Sequence, residues 1–318
     1  MMQRVSVCAL CETESIVKRP NGIFVCTKCG HELDNAYFNQ IIQESRPLAE
    51  QGDTVAQFNL GFCYFNGAGV DTDIEQGIRY YTASAEGGDA YAQYRLGRCY
   101  ETESGVAMDN FEAALWYRRA AEQGHAQAQY RMGVCYEQGL GVTRDVSRAF
   151  SFYRRSAEQG NPFAQTALAG CYANGMGTGK NIVEALRYYK LAAEQDYAPA
   201  MYQLGAIYAG AQGVDENMSE AIRWYQKAAD KDDPQALTAL GLCYKDGNGV
   251  PKDEAKAVQL LKLSARKGDG KAQYHLAVCY LNATGVPFSL SEALHWFGCA
   301  AENGVVDAVN YLKRRLKG

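Results

Sequence analysis

The sequence predicts an all-α fold, a right-handed α/α superhelix of stacked helical pairs, with a small β-hairpin module in front of it. Three observations predict it. Residue types recur every 36 residues from Asp53 to Gly304. Inside each step the apolar residues return with helical spacing. Four further cysteines stand outside the step, in two close pairs around a turn sequence.

The totals set bounds. The 318 residues carry a net charge of −4, and 47 % are hydrophobic against 21 % charged. Such a chain buries a core rather than staying disordered. Its charge offers no general attraction to nucleic acid or to an acidic membrane. No apolar run approaches the roughly 18 residues of a membrane span, and MMQRVSVCALCETES lacks a signal-peptide core, so no membrane partner is expected. Eleven cysteines in a chain neither short nor visibly secreted point to a reducing, cytoplasmic setting.

The first element is residues 1–32. Cys8, Cys11, Cys26 and Cys29 are spaced C-x₂-C-x₁₄-C-x₂-C. Between the pairs, Ser15 to Lys18 and Ile23 to Val25 read as strands around the turn Pro20-Asn21-Gly22. A hairpin that brings two such knuckles together sets four thiolates tetrahedrally, which suits one structural Zn2+. The segment resembles a zinc ribbon, with a redox pair or an iron centre as rivals and His31 as a bystander. Lys18, Arg19 and Phe24 offer a nucleic-acid contact, but Glu12, Glu14, Glu32 and the charge of a four-thiolate zinc centre oppose it. Folding the first helix onto the stack, or touching a protein, is the stronger reading.

Residues 33–52 read as a lone second helix that caps the stack, with Pro47 predicting a kink or a late start. Seven units follow: 53–88, 89–124, 125–160, 161–196, 197–232, 233–268 and 269–304. In the third, Ala128, Met132 and Cys135 form one face of a first helix, which Gly139 and Gly141 end. Asp145 stands where a second helix needs an N-cap, as do Asp73, Asp109, Asn181, Asn217, Asp253 and Ser289. Glu112, Glu184, Glu220 and Glu292 follow their caps at capping-box spacing. Alanine ladders through Ala56 and Ala85 let helix axes approach closely. Residues 305–318 continue the first-helix pattern and cap the other end. No pair can bury both faces alone, so the pairs stack and present a concave side.

The motif Ala-Gln-Tyr-x-Leu/Met-Gly-x-x-Tyr, then Gly-x-Gly-Val, then Trp-Tyr-x-x-Ala-Ala-Glu-x-Gly resembles the Sel-one-like repeat (SLR), a tetratricopeptide-type solenoid. In the second unit Ala92, Gln93, Tyr94, Leu96, Gly97, Tyr100, Gly105, Val106, Trp116, Tyr117, Ala120, Ala121, Glu122 and Gly124 carry the match. The resemblance implies a scaffold or adaptor that holds other proteins. Glu103 in place of a turn glycine, Leu260 and Leu261 in place of an aromatic pair, and Thr178 in place of valine predict irregular packing there.

Some secreted SLR proteins join the helices of a repeat by a disulfide between two cysteines. Here each unit has one, in the ladder Cys63, Cys99, Cys135, Cys171, Ile207, Cys243, Cys279. Isoleucine in that ladder marks the position as packing, so these cysteines read as small hydrophobes. Cys299 breaks the ladder and is expected to be exposed.

Catalytic motifs are thin. Ser15-Ile16-Val17-Lys18 and Gly175 to Lys180 match S-x-x-K and a phosphate loop only by chance, and the four histidines join no known constellation. The reading is therefore a non-enzymatic scaffold that binds a protein or peptide on its concave face. The candidate groove residues are Asn59, Phe62, Tyr91, Arg95, Arg98, Arg131, Gln203 and His275. The arginines suit a carboxylate or an acidic peptide, unless they merely neutralise Glu101 and Glu137. A regulator of a nucleic-acid complex acting through the ribbon is one alternative. A weak β-lactamase-like hydrolase, as attributed to some relatives, is the other.

Overall fold

The computed structural model describes residues 16–18, 24–26, 32–211 and 215–315, the side chains of 16–18 and 26 excepted. It divides into two compact bodies, Met1–Asn161 and Pro162–Gly318.

The first body opens with a three-stranded antiparallel sheet: β1 (Ile16–Lys18), β2 (Phe24–Cys26) and β3 (Glu32–Leu33), in that order. β1 and β2 pair with Val17 opposite Val25, so the expected hairpin is there, and β3 adds a strand the sequence reading lacked. Cys8, Cys11, Cys29 and His31 lie outside the described residues, and of Cys26 only the backbone is described.

Seven helices follow in this body among the described residues: α1 (Asn35–Glu50), α2 (Thr54–Asn66), α3 (Ile74–Glu86), α4 (Ala90–Glu101), α5 (Asn110–Glu122), α6 (Ala126–Gln138) and α7 (Val146–Glu158). α1 starts at Asp34, whose carboxylate accepts from the Tyr37 amide at 2.9 Å. It runs through Pro47, so the helix does not start late. A proline near a helix end forfeits one backbone bond, which the packing of Phe38 and Ile42 outweighs.

The second body holds α8 (Pro162–Asn174), α9 (Ile182–Ala193), α10 (Ala198–Tyr208), α11 (Met218–Ala229), α12 (Pro234–Asp246), α13 (Glu254–Arg266), α14 (Gly270–Asn282), α15 (Leu290–Glu302) and α16 (Val306–Arg315). In both bodies each helix packs on the next. α16 ends the second by stacking Tyr311 on Phe297, ring centroids 4.1 Å apart.

The 36-residue period has a physical source at every turn. All seven sequence-read caps accept from amides of their own second helices. Their backbone amides in turn donate to a ladder tyrosine, as Asp145 does to the Tyr136 carbonyl at 2.8 Å. The reciprocal half of the capping box is replaced: Glu184 and Glu220 bind Arg187 and Arg223, and Glu292 accepts from Trp296. Gly141 sits at φ +64°, and a Cβ there would strike the Asn110 carbonyl of the preceding pair. Gly133 leaves room for the Tyr153 ring in the same way.

Two of the departures keep the local geometry of the repeat. Glu103 adopts φ +54°, the left-handed conformation that Gly67 and Gly139 take at +67° and +77°. Leu261 is fully buried in the place of a tyrosine.

Candidate binding site

The candidate surface residues fall into three groups. Asn59 and Phe62 are buried, so they do not line a groove. Phe62 lies under the N-terminal module, its ring 6.0 Å from Phe24 and 6.4 Å from Phe38. The module and α1 thus cover the face of α2 that the sequence reading left open. Gln203 and His275 belong to the second body and are half-buried. Burial, with Lys245 as a lesser influence, lowers the pKa of His275.

Tyr91, Arg95, Arg98 and Arg131 lie together in the first body, on α4 and α6, and all are half-buried. Tyr91 meets the ring of His125 edge-on at 4.8 Å. His125 caps α6 through Nδ1, which accepts from the Ala128 amide at 3.2 Å, a role that needs the neutral ring.

Two of the arginines converge on one carboxylate. Glu101 lies 3.3 Å from Arg98 Nε and 3.1 Å from Arg131 Nη1, and it accepts from the Tyr117 hydroxyl at 2.6 Å. The expected pairs were Arg95 with Glu101 and Arg131 with Glu137, six residues apart on one helix. Six residues turn a helix by about 600°, which leaves the two side chains on different faces. Three residues, or the next first helix, bring them together instead. The Arg98 Nε–H is close to Glu101 but poorly aimed, and this buried nitrogen has no hydrogen-bond acceptor among the described residues. Charge here is uneven, with Arg95, Arg98 and Arg131 set against Glu101.

Sequence reading missed two devices. The hydroxyls of Tyr117 and Tyr153 bind Glu101 and Glu137, and the signal was the 36-residue offset shared by both pairs. The glutamine of each Ala-Gln-Tyr motif also ties pairs together. Gln129 Nε2 donates to Ala121 O at 3.2 Å, and Gln129 Oε1 accepts from Gln159 at 2.7 Å. Gln93 repeats both bonds with Ala85 and Gln123.

The Sel1 repeat matches seven times, over residues 54–89, 90–125, 126–161, 162–197, 198–233, 234–269 and 270–305. The chain belongs to the Sel1 repeat family. Its Sel1 units begin one residue after those read from the ladder. Among solved structures it is similar to a protective antigen of uropathogenic Escherichia coli displaying an SLR fold. That likeness is 33 % identity at a TM-score of 0.70, over 85 % of this chain and 58 % of that one. This chain therefore spans less than two thirds of the antigen's length. A Sel1 repeat protein from Oxalobacter formigenes is similar at 30 % identity and a TM-score of 0.68, covering 89 % and 82 %. Yeast Tom70, 13 % identical with a TM-score of 0.50, shares the fold alone. Comparison with curated protein sequences gives no match.

The Sel1 ladder cysteines are packing residues. Cys63, Cys99, Cys135, Cys171, Cys243 and Cys279 are buried free thiols, and Cys299 is half-buried rather than exposed. Burial pushes the Cys63 thiol up to about 12 and Cys135 to about 11. Cys99 also reaches about 11, with burial partly offset by Arg95 and Arg98. Thiols held this high stay protonated at neutral pH and are poor nucleophiles. No helix among the described residues is long and apolar enough to cross a membrane.

Proposed function

We propose that this Sel1 repeat protein is a scaffold that receives an acidic segment of a protein or peptide on the face formed by its first helices. Sel1 repeat proteins are typically protein-interaction scaffolds. The observation that carries the finer reading is the arginine surplus on α4 and α6: Arg98 and Arg131 share one internal carboxylate, and Arg95 beside them pairs with none among the described residues. Arginine forks bind carboxylates in pairs of parallel bonds, and partial burial shields them from salt. Affinity capture from the native cell tests it, comparing wild type with Arg95→Glu. The expected result is loss of a defined partner at unchanged circular dichroism. An unchanged partner list overturns the placement.

We also propose one structural zinc on Cys8, Cys11, Cys26 and Cys29. The C-x₂-C spacing supports it, as does a hairpin between the two cysteine pairs. The ion would tie the knuckles together and take no part in turnover. Metal analysis is expected to find about one zinc per chain.

A further inference from the structure

The first and second helical pairs carry the same hydrogen-bonding kit, but only the second has the acceptor. In the second, Tyr117 and Arg131 hold Glu101. One 36-residue step earlier, Tyr117 corresponds to Tyr81, Arg131 to Arg95, and Glu101 to Phe65. The donors are kept and the carboxylate is replaced by a phenyl ring, which lies against Tyr81 at 5.8 Å.

A cavity of about 180 Å³ lies among these residues, lined by Phe65, Tyr81, Arg95 and Arg98 and rimmed by Thr102 and Ser104. The rim is fixed, since Thr102 Oγ1 donates to the Arg98 carbonyl at 2.9 Å and lies 2.8 Å from Ser104 Oγ. No carboxylate among the described residues pairs with Arg95, and none accepts from the Tyr81 hydroxyl. Arg98 stands where the first pair has Phe62, and it adds a second guanidinium to the cavity wall. The Arg95 guanidinium, which lines the cavity without a carboxylate of its own, favours an anion there. Glu101, one step on, shows which anion this set of donors grips.

We infer that this cavity binds a carboxylate supplied by the partner, in the place that Glu101 fills from within the chain one repeat later. The inference rests on the scaffold reading above and names the group the partner contributes. That group is the carboxylate of a chain terminus or of an acidic side chain. Tyr81 and Arg95 donate to it as Tyr117 and Arg131 donate to Glu101, with Arg98 as a third donor.

The test is a titration of the full chain followed by the arginine Nε–H signals in NMR. N-acetylglycine stands for a chain terminus, the N-methylamide of N-acetylglutamate for a side chain, and inorganic phosphate is the competing anion. Saturable shifts of the Arg95 and Arg98 signals with one of the carboxylates are expected, and the tighter of the two identifies the source. Arg95→Gln should weaken that binding about tenfold, the effect of losing a charge-assisted bond. Phe65→Glu, which supplies the carboxylate from within, should abolish it. No saturation by either carboxylate up to about 50 mM, saturation by phosphate alone, or undiminished binding in Arg95→Gln would overturn the inference. Partner capture gives the independent readout. Carboxylate binding without an Arg95-dependent partner overturns the scaffold reading, whereas such a partner without carboxylate binding overturns this one.

Discussion

The first helical pair (α2, α3) and the second (α4, α5) follow one plan and end in opposite roles. In the first, the face of α2 is shut: Phe62 is buried beneath Phe24 and Phe38. In the second, the equivalent position is Arg98, half-buried over a cavity. In the first, an aromatic ring stands where the second places a carboxylate. A repeat backbone thus fixes where side chains point and leaves open whether a position closes the stack or receives a ligand. The same slot holds a buried ring in one pair and a half-buried guanidinium beside a cavity in the next.

The largest expected effect comes from opening what the first pair closes. Phe38 is fully buried, and Phe38→Ala should cost about 3–5 kcal/mol through lost transfer energy and a residual cavity. Urea denaturation measures it, and a cost below about 1 kcal/mol would mean that the aromatic cover is not what closes α2. Next in size is the internal carboxylate. Glu101→Ala strands Tyr117 and Arg131 and should cost about 2 kcal/mol. Glu137→Ala, where only the Tyr153 bond is lost, should cost about 1 kcal/mol. Equal costs would break the claim that the second pair's arginines depend on Glu101.

A smaller contrast appears at alkaline pH. The fold raises the Cys63 thiol from 9.0 to about 12 and Cys99 to about 11. Unfolded thiols therefore lose their protons first. The stability from keeping these thiols neutral is complete below about pH 9 and drains away as pH rises through 11 and 12. Cys63→Ala should remove more of that loss than Cys99→Ala, because Arg95 and Arg98 favour the thiolate only at the latter. Urea midpoints between about pH 8 and 12 decide it. The smallest effect is kinetic: Cys299, the half-buried thiol, should react with iodoacetamide before any of the six buried ladder cysteines. Peptide mapping of the first modified residue checks that order.

How much of this was legible in the sequence follows from what the period encodes. Alanine at 128, capping aspartate at 145 and turn glycine at 141 are local requirements, and local requirements show in composition. Cys135 was readable as packing because Ile207 shares its ladder. The burial of Phe62 was not readable, because it depends on a segment outside the period folding back over α2. Pro47 misled in the opposite direction, since a helix with a well-packed face tolerates a proline near its end. The role of Glu101 was hidden for a different reason. Its partners Tyr117 and Arg131 lie 16 and 30 residues away, and spacing within one helix points elsewhere. Only aligning the repeats puts Phe65 in the column of Glu101 and Glu137, with the Tyr81 and Arg95 counterparts of Tyr117 and Arg131 kept beside it, whereas Ala173, Ala209, Lys245 and Leu281 fill that column in the later units.

The central claim is that the first pair's missing acceptor comes from the partner. The most direct measurement is the affinity of the purified partner for wild type and for Phe65→Glu, both folded by circular dichroism. The account predicts that the variant, carrying its own carboxylate, binds at least about tenfold more weakly. Equal affinity for the two proteins would contradict it.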